Sequence, residues 1–121
     1  MSGISISAIR NQQKQSLIQK NYREIYAHEM AHKNAAGSLA GPIVIEKNSE
    51  GIPVGGHVEI KMPKLNKEHP EITIRHAETV IESAMAPHDP SAQDYKVAQQ
   101  AKSIKAEAEN LQNKKRLDYY A

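Results

Sequence analysis

The stretch AHEMAHKNAAGSLAGPIVIEKNSEGIPVGG, residues 27–56, changes its periodicity partway along, and the fold follows from where it does so. From about Ile9 up to Gly37 the chain has no proline and no internal glycine, and it is rich in Gln, Lys, Glu and Ala. These are good helix formers, so one long helix is predicted, with Gly37 placed to end it. After the tripeptide Ala40-Gly41-Pro42 come two β-branched runs, IVIEK and IPVGGHVEIKM, separated by NSEG. That pattern predicts a β-hairpin, with Gly55-Gly56 marking a bulge or a close backbone approach. On the helix, Leu17, Ile18, Ile25, His28, His32, Ala35 and Ala36 fall on one face at three-four spacing, so both histidines point where the apolar residues point. In the second strand His57, Glu59 and Lys61 share one face, and Val58, Ile60 and Met62 share the other.

Working outward, SGISISA at residues 2–8 alternates Ser and Ile, which leaves a short strand open there. Beyond the hairpin, KLNKEHP reads as a loop, and Pro70 suits the first turn of a helix running to Met85. Its predicted apolar stripe is Ile74, Ala77, Ile81, Ala84 and Met85, and the prolines at 87 and 90 stop it. Ser91 with Asp94 forms a capping-box-like start for a last helix, in which Val97, Ala101, Ile104, Ala108 and Leu111 repeat on one side. Such an alanine-rich stripe implies close packing, either within the chain or against a second copy as a homo-oligomer.

The 121 residues are the size of a single domain, taken as 1–121 with 1–10 and 112–121 frayed. Five tyrosines are the only aromatics, so the core must be built from Ile, Val, Leu, Met and Ala and will be thin. With no cysteine, any metal must be held by histidines and carboxylates. The net charge of +2 arises from 16 basic and 14 acidic residues mixed along the chain, which gives no footprint for nucleic acid. The first twenty residues have no apolar h-region, and no apolar run reaches membrane length. A cytoplasmic protein with no membrane partner is the expectation.

His28-Glu29-Met30-Ala31-His32 is the sequence H-E-x-x-H. Residues four apart lie one turn apart on a helix, so two imidazoles can converge on one ion, and zinc accepts neutral imidazole readily. Glu29 then occupies the position of a general base that takes a proton from the attacking water. A catalytic zinc takes three protein ligands and keeps an open position. An extension of the metzincin type needs glycine at position 35 and histidine at position 38; the chain has Ala35 and Ser38, which excludes it. For the third ligand His57 and Glu78 are the candidates: His57 follows two glycines that let its strand approach the helix, and Glu78 lies between stripe residues of a later helix. Asp94 explains itself as a cap, with orientation of a ligand histidine as its sharper role. Tyr26 and Tyr95 are candidates for a transition-state hydrogen bond because a phenol can donate one. A fourth ligand from Glu78 or His76 would instead close the site and make a non-catalytic zinc protein.

Beyond the zinc motif, the chain carries Ala27-His28-Glu29 with Ala31-His32, then Gly37, Gly51, Val54-Gly55-Gly56, Ala84, Ala86-Pro87, Pro90-Ser91, Gln93-Asp94, Val97, Ala98 and Ala101. In this combination it resembles the SprA-related family of small bacterial proteins, read as zinc metalloproteases. The family pattern usually has glutamate after VGG, where this chain has His57. Since glutamate and histidine both ligate zinc, the resemblance implies His57 ahead of Glu78 as third ligand. The expectation is an α+β, minimal zincin-like domain that hydrolyses a peptide or protein substrate, with Zn2+ on His28, His32 and His57.

Overall fold

The computed structural model describes residues 5–120. Helix α1, Ile6–Ala36, begins at Ser5, whose hydroxyl accepts from the backbone N–H of Ala8 at 3.1 Å. The Ser/Ile alternation, which leaves a short strand open, forms a cap and a first helical turn from Ser5 onward; residues 1–4 lie outside the described part. At the other end Gly37 adopts φ 58°, and its N–H returns to the carbonyl of Lys33. That left-handed conformation is the reason for a glycine there. A single 3-10 turn, Gly37–Leu39, leads into the hairpin.

Strands β1, Ala40–Lys47, and β2, Pro53–Ile60, pair antiparallel, with Val44 opposite His57, Ile45 opposite Gly56 and Glu46 opposite Gly55. Asn48 builds the turn: its side-chain oxygen accepts from the N–H groups of Glu50 and Ile52 at 2.9 and 3.0 Å. The register shifts twice, between Ala40 and Ile43 and between Glu46 and Lys47, and the second shift leaves Val54 as the extra residue of β2 just ahead of the glycine pair.

Gly56 serves close approach. A Cβ at this position would lie 2.6 Å from Ile25 Cγ2, 3.0 Å from the Val44 carbonyl oxygen and 3.2 Å from Glu29 Cγ. The strand rests directly on the helix beside Glu29 only because no side chain intervenes. Gly56→Ala is expected to destabilise the fold by about 1–3 kcal/mol through overpacking. Chemical denaturation checks this, with Gly55→Ala as the comparison, since a Cβ there meets only Glu46 Oε2 at 3.6 Å.

Helix α2 spans Pro70–Ala84 and α3 spans Ala92–Tyr120. Helix α1 packs on both strands and on α2, and α2 packs on α3. The core is as thin as the composition demands: Ala36, Ala77, Val80, Ala84, Ala98, Ala101 and Ala108 are its buried apolar residues. Of the α3 stripe, Ala101 and Ala108 are buried inside the chain, and Val97, Ile104 and Leu111 are half-buried. On α2 the buried face runs through Thr73, Ala77, Val80 and Ser83, with Ile74 and Ile81 half-buried at its flank. Small side chains occupy the centre of that face because α3 presents alanines to it. Thr73 is satisfied there, accepting from the Asn66 N–H at 2.8 Å and donating to the Lys64 carbonyl at 3.0 Å. The N-terminal half of α1 departs from the expected stripe: Leu17 is 43% exposed, since α1 there runs beyond the elements that cover its later turns. Among the described residues, no helix is long and apolar enough to cross a membrane.

Candidate metal centre

His28, Glu29 and His32 meet where α1 passes under β2, and one ligand atom from each lies within 4.8 Å of the others. His32 and Glu29 are buried, and His28 is half-buried. The two Nε2 atoms are 3.2 Å apart. Each ring is held from behind. His32 Nδ1 is 2.6 Å from the carbonyl oxygen of Ser83, which can only accept, so this nitrogen carries the proton. Ser83 returns a bond from its hydroxyl to the His32 carbonyl at 2.7 Å, tying α2 to α1 at the site. His28 Nδ1 is 3.2 Å from Asp89 Oδ1. The hydrogen bond from His28 holds the Asp89 carboxyl below the usual range, so it is ionised and accepts. Assigned from these partners, both imidazoles present a bare Nε2 lone pair to the same point.

Asp94 faces that point from α3. Its Oδ2 lies 3.2 Å from His28 Nε2 and its Oδ1 lies 3.1 Å from His32 Nε2. The capping box expected at this helix start is formed as well: the Ser91 N–H donates to Asp94 Oδ2 at 2.8 Å, and the Asp94 N–H donates to Ser91 Oγ at 3.1 Å.

Glu29 has no such engagement with the ring pair. Burial pushes its carboxyl above the ordinary carboxylate value; His32 and His28 pull the other way, and the charge of Asp94 adds to the rise. A cleft of about 640 Å³ opens over these groups, lined from α1, β2 and the first turns of α3.

The other expected residues fall in different places. His57 lines the cleft from β2, exposed, with Nδ1 3.0 Å from Glu46 Oε1, its diagonal neighbour across the hairpin. Glu78 is exposed on α2 and is not part of the cleft wall. His76 gives its Nε2 to the carbonyl of Lys61 at 2.8 Å, so the two side chains expected to close the site stand elsewhere. Tyr26 stacks on Tyr22 with ring centroids 5.7 Å apart, and Tyr95 is half exposed; neither lines the cleft. Ser83 and Asp89 were not foreseen. Ser83 acts partly through its backbone carbonyl, which has no residue-type signature, and Asp89 is an exposed carboxylate in the APHDPS segment with no spacing that ties it to the helix histidines.

The donor set fits a divalent ion such as zinc: neutral imidazole nitrogens and carboxylates, in a chain without thiols. The sequence profile of the SprA-related family matches residues 5–119. No curated protein and no solved structure matches.

Proposed function

The chain belongs to the SprA-related family, and we propose from the site that it is a zinc-dependent metallopeptidase of minimal zincin-like architecture. His28 and His32 hold the ion and Glu29 is the general base. One observation carries this reading: two imidazoles with Nδ1 committed elsewhere bring bare Nε2 atoms to 3.2 Å of each other beside a buried carboxylate. Zinc held there polarises a carbonyl and lowers the pKa of a water towards about 7.

Glu29 receives the proton of the attacking water and passes it to the departing amine. Its burial raises its pKa, which brings its basicity nearer to the working pH. The strand above it orients the substrate. Among the described residues β2 pairs with β1 alone, and β2 lines the cleft. An extended peptide can therefore pair with the free edge of β2 and lay a carbonyl over the histidine pair. His57, on that wall, is assigned a substrate contact.

Elemental analysis of protein purified without a His tag is expected to find about one zinc per chain. The loaded protein is expected to cleave members of a mixed peptide library, read by mass spectrometry, while Glu29→Gln does not. A wild-type chain that neither carries nor takes up a divalent ion would sink this reading, and so would a loaded protein with no hydrolysis of any peptide.

A further inference from the structure

We infer that Asp94, at the start of α3, is the third metal ligand, completing a site of two histidines and one carboxylate. The inference rests on the reading that the histidine pair binds a metal. Its basis is the placement of protons. His32 Nδ1 donates to the Ser83 carbonyl, which leaves its Nε2 bare; His28 has a carboxylate oxygen 3.2 Å from each ring nitrogen, and with its proton assigned to the Nδ1 that faces Asp89 neither neutral ring has a hydrogen left on Nε2. The atoms that meet between α1 and α3 are then two bare nitrogens and the two oxygens of an aspartate, all acceptors. They lie at 3.2 Å (Nε2 to Nε2), 3.2 Å (His28 to Asp94) and 3.1 Å (His32 to Asp94). Acceptors at that range repel unless a positive charge sits among them. A proton on one Nε2 serves only part of this set, and protons on both would bring two N–H groups face to face across the 3.2 Å between the Nε2 atoms. A single divalent ion satisfies every lone pair at once.

The separations are those of a coordination shell. Two ligand atoms each about 2.0–2.1 Å from a tetrahedral zinc lie about 3.3–3.4 Å from one another, the edge of the tetrahedron. The Nε2–Nε2 separation of 3.2 Å falls just inside that edge, and Asp94 sets one oxygen beside each ring, Oδ2 3.2 Å from His28 and Oδ1 3.1 Å from His32. The carboxylate is also fixed before any ion arrives. Ser91 donates its N–H to Oδ2 and accepts the Asp94 N–H on its hydroxyl, so the cap that starts α3 is the device that aims Asp94. A group with this support presents an ordered oxygen at little conformational cost. His57 has the opposite character: it is exposed and its Nδ1 is engaged by Glu46.

Cobalt(II) titration of the full chain tests the assignment. Since the chain has no cysteine, a thiolate placed by Asp94→Cys is the sole source of a sulfur-to-cobalt charge-transfer band in the near ultraviolet. That band appears only if the side chain at position 94 touches the ion. The expected results are a cobalt complex in the wild type, the band in Asp94→Cys, and wild-type zinc affinity in His57→Ala. Asp94→Asn keeps an oxygen for the Ser91 cap, and its helix content by circular dichroism should be unchanged. Its zinc affinity is expected to fall by more than about 100-fold, beyond the 10–100-fold loss typical of a partner that only orients a ligand. Cobalt bound to Asp94→Cys without the band overturns the assignment, as does a smaller loss in Asp94→Asn, or loss of the ion in His57→Ala alone. If the wild type binds neither cobalt nor zinc, the metal reading itself fails, an outcome separate from the others.

Discussion

Glu29→Gln is expected to keep its zinc and to lose turnover by about 100- to 10,000-fold, the range over which a positioned general base contributes. The substitution is close to isosteric, and the glutamine fits the same space between His28, His32 and the backbone of Gly56. It removes the one capacity the reading assigns to this residue, the acceptance of a proton. It should also change stability in a direction set by the carboxyl's environment. Burial raises the pKa of Glu29 above its ordinary 4.5, so between that value and its folded value the native protein binds more protons than the unfolded chain. Stability therefore falls as pH rises through that window, and the loss is complete above the folded pKa. In metal-free protein the Glu29→Gln variant should melt higher than wild type at neutral pH, with the gap closing as pH falls to 4.5 and below. Elemental analysis, peptide cleavage and paired melts at two pH values check all three parts. Wild-type turnover in the variant would remove Glu29 as the base, and loss of zinc would make it a ligand.

The order of elements was readable because each boundary has a local cause. Gly37 ends α1 through its positive φ, Asn48 and Gly51 close the hairpin turn, Pro70 opens α2, and Ser91 with Asp94 caps α3. The histidine pair was readable for the same reason, since four-residue spacing on a helix already places both rings. Gly56 was readable as a close approach, though not as one made against Glu29 itself. What lay outside the sequence is what crosses between elements. Asp94 had a sufficient local explanation as a cap, and only the packing of α3 on α2 brings the same carboxylate to the rings of α1. His57 was drawn to the metal by its position after the glycines, but its partner is set by hairpin register, which places Glu46 diagonally across from it. The α2 stripe held at Ala77 and Ala84, which are buried, but was off-centre at Ile74 and Ile81, which are half-buried, and at Met85, which is exposed. Which face of α2 is buried depends on the alanines of α3, and a helix read alone favours its largest apolar residues.

His32→Ala should produce the largest combined loss, because His32 links the metal site to the join between α1 and α2. The ring is buried, its Nδ1 is bonded to the Ser83 carbonyl at 2.6 Å, and its Nε2 faces His28 and Asp94. Truncation leaves a cavity and removes a buried hydrogen bond, at an expected cost of about 2–4 kcal/mol in metal-free protein. The metal response adds to this. With free zinc at 100 times the dissociation constant, wild type should gain about 2.7 kcal/mol of unfolding free energy, and the variant should gain none. Ser83→Ala separates the two effects: it keeps the carbonyl that holds His32 and removes only the hydroxyl bond to the His32 backbone. That variant should lose about 1 kcal/mol and retain the full zinc-dependent gain. Urea denaturation with and without zinc measures every quantity involved. A His32→Ala protein that still gains as much as wild type would reduce His32 to a packing residue and leave the ion to other ligands. If the gain disappears while Ser83→Ala keeps it, the imidazole of His32 is what couples the ion to the stability of the fold.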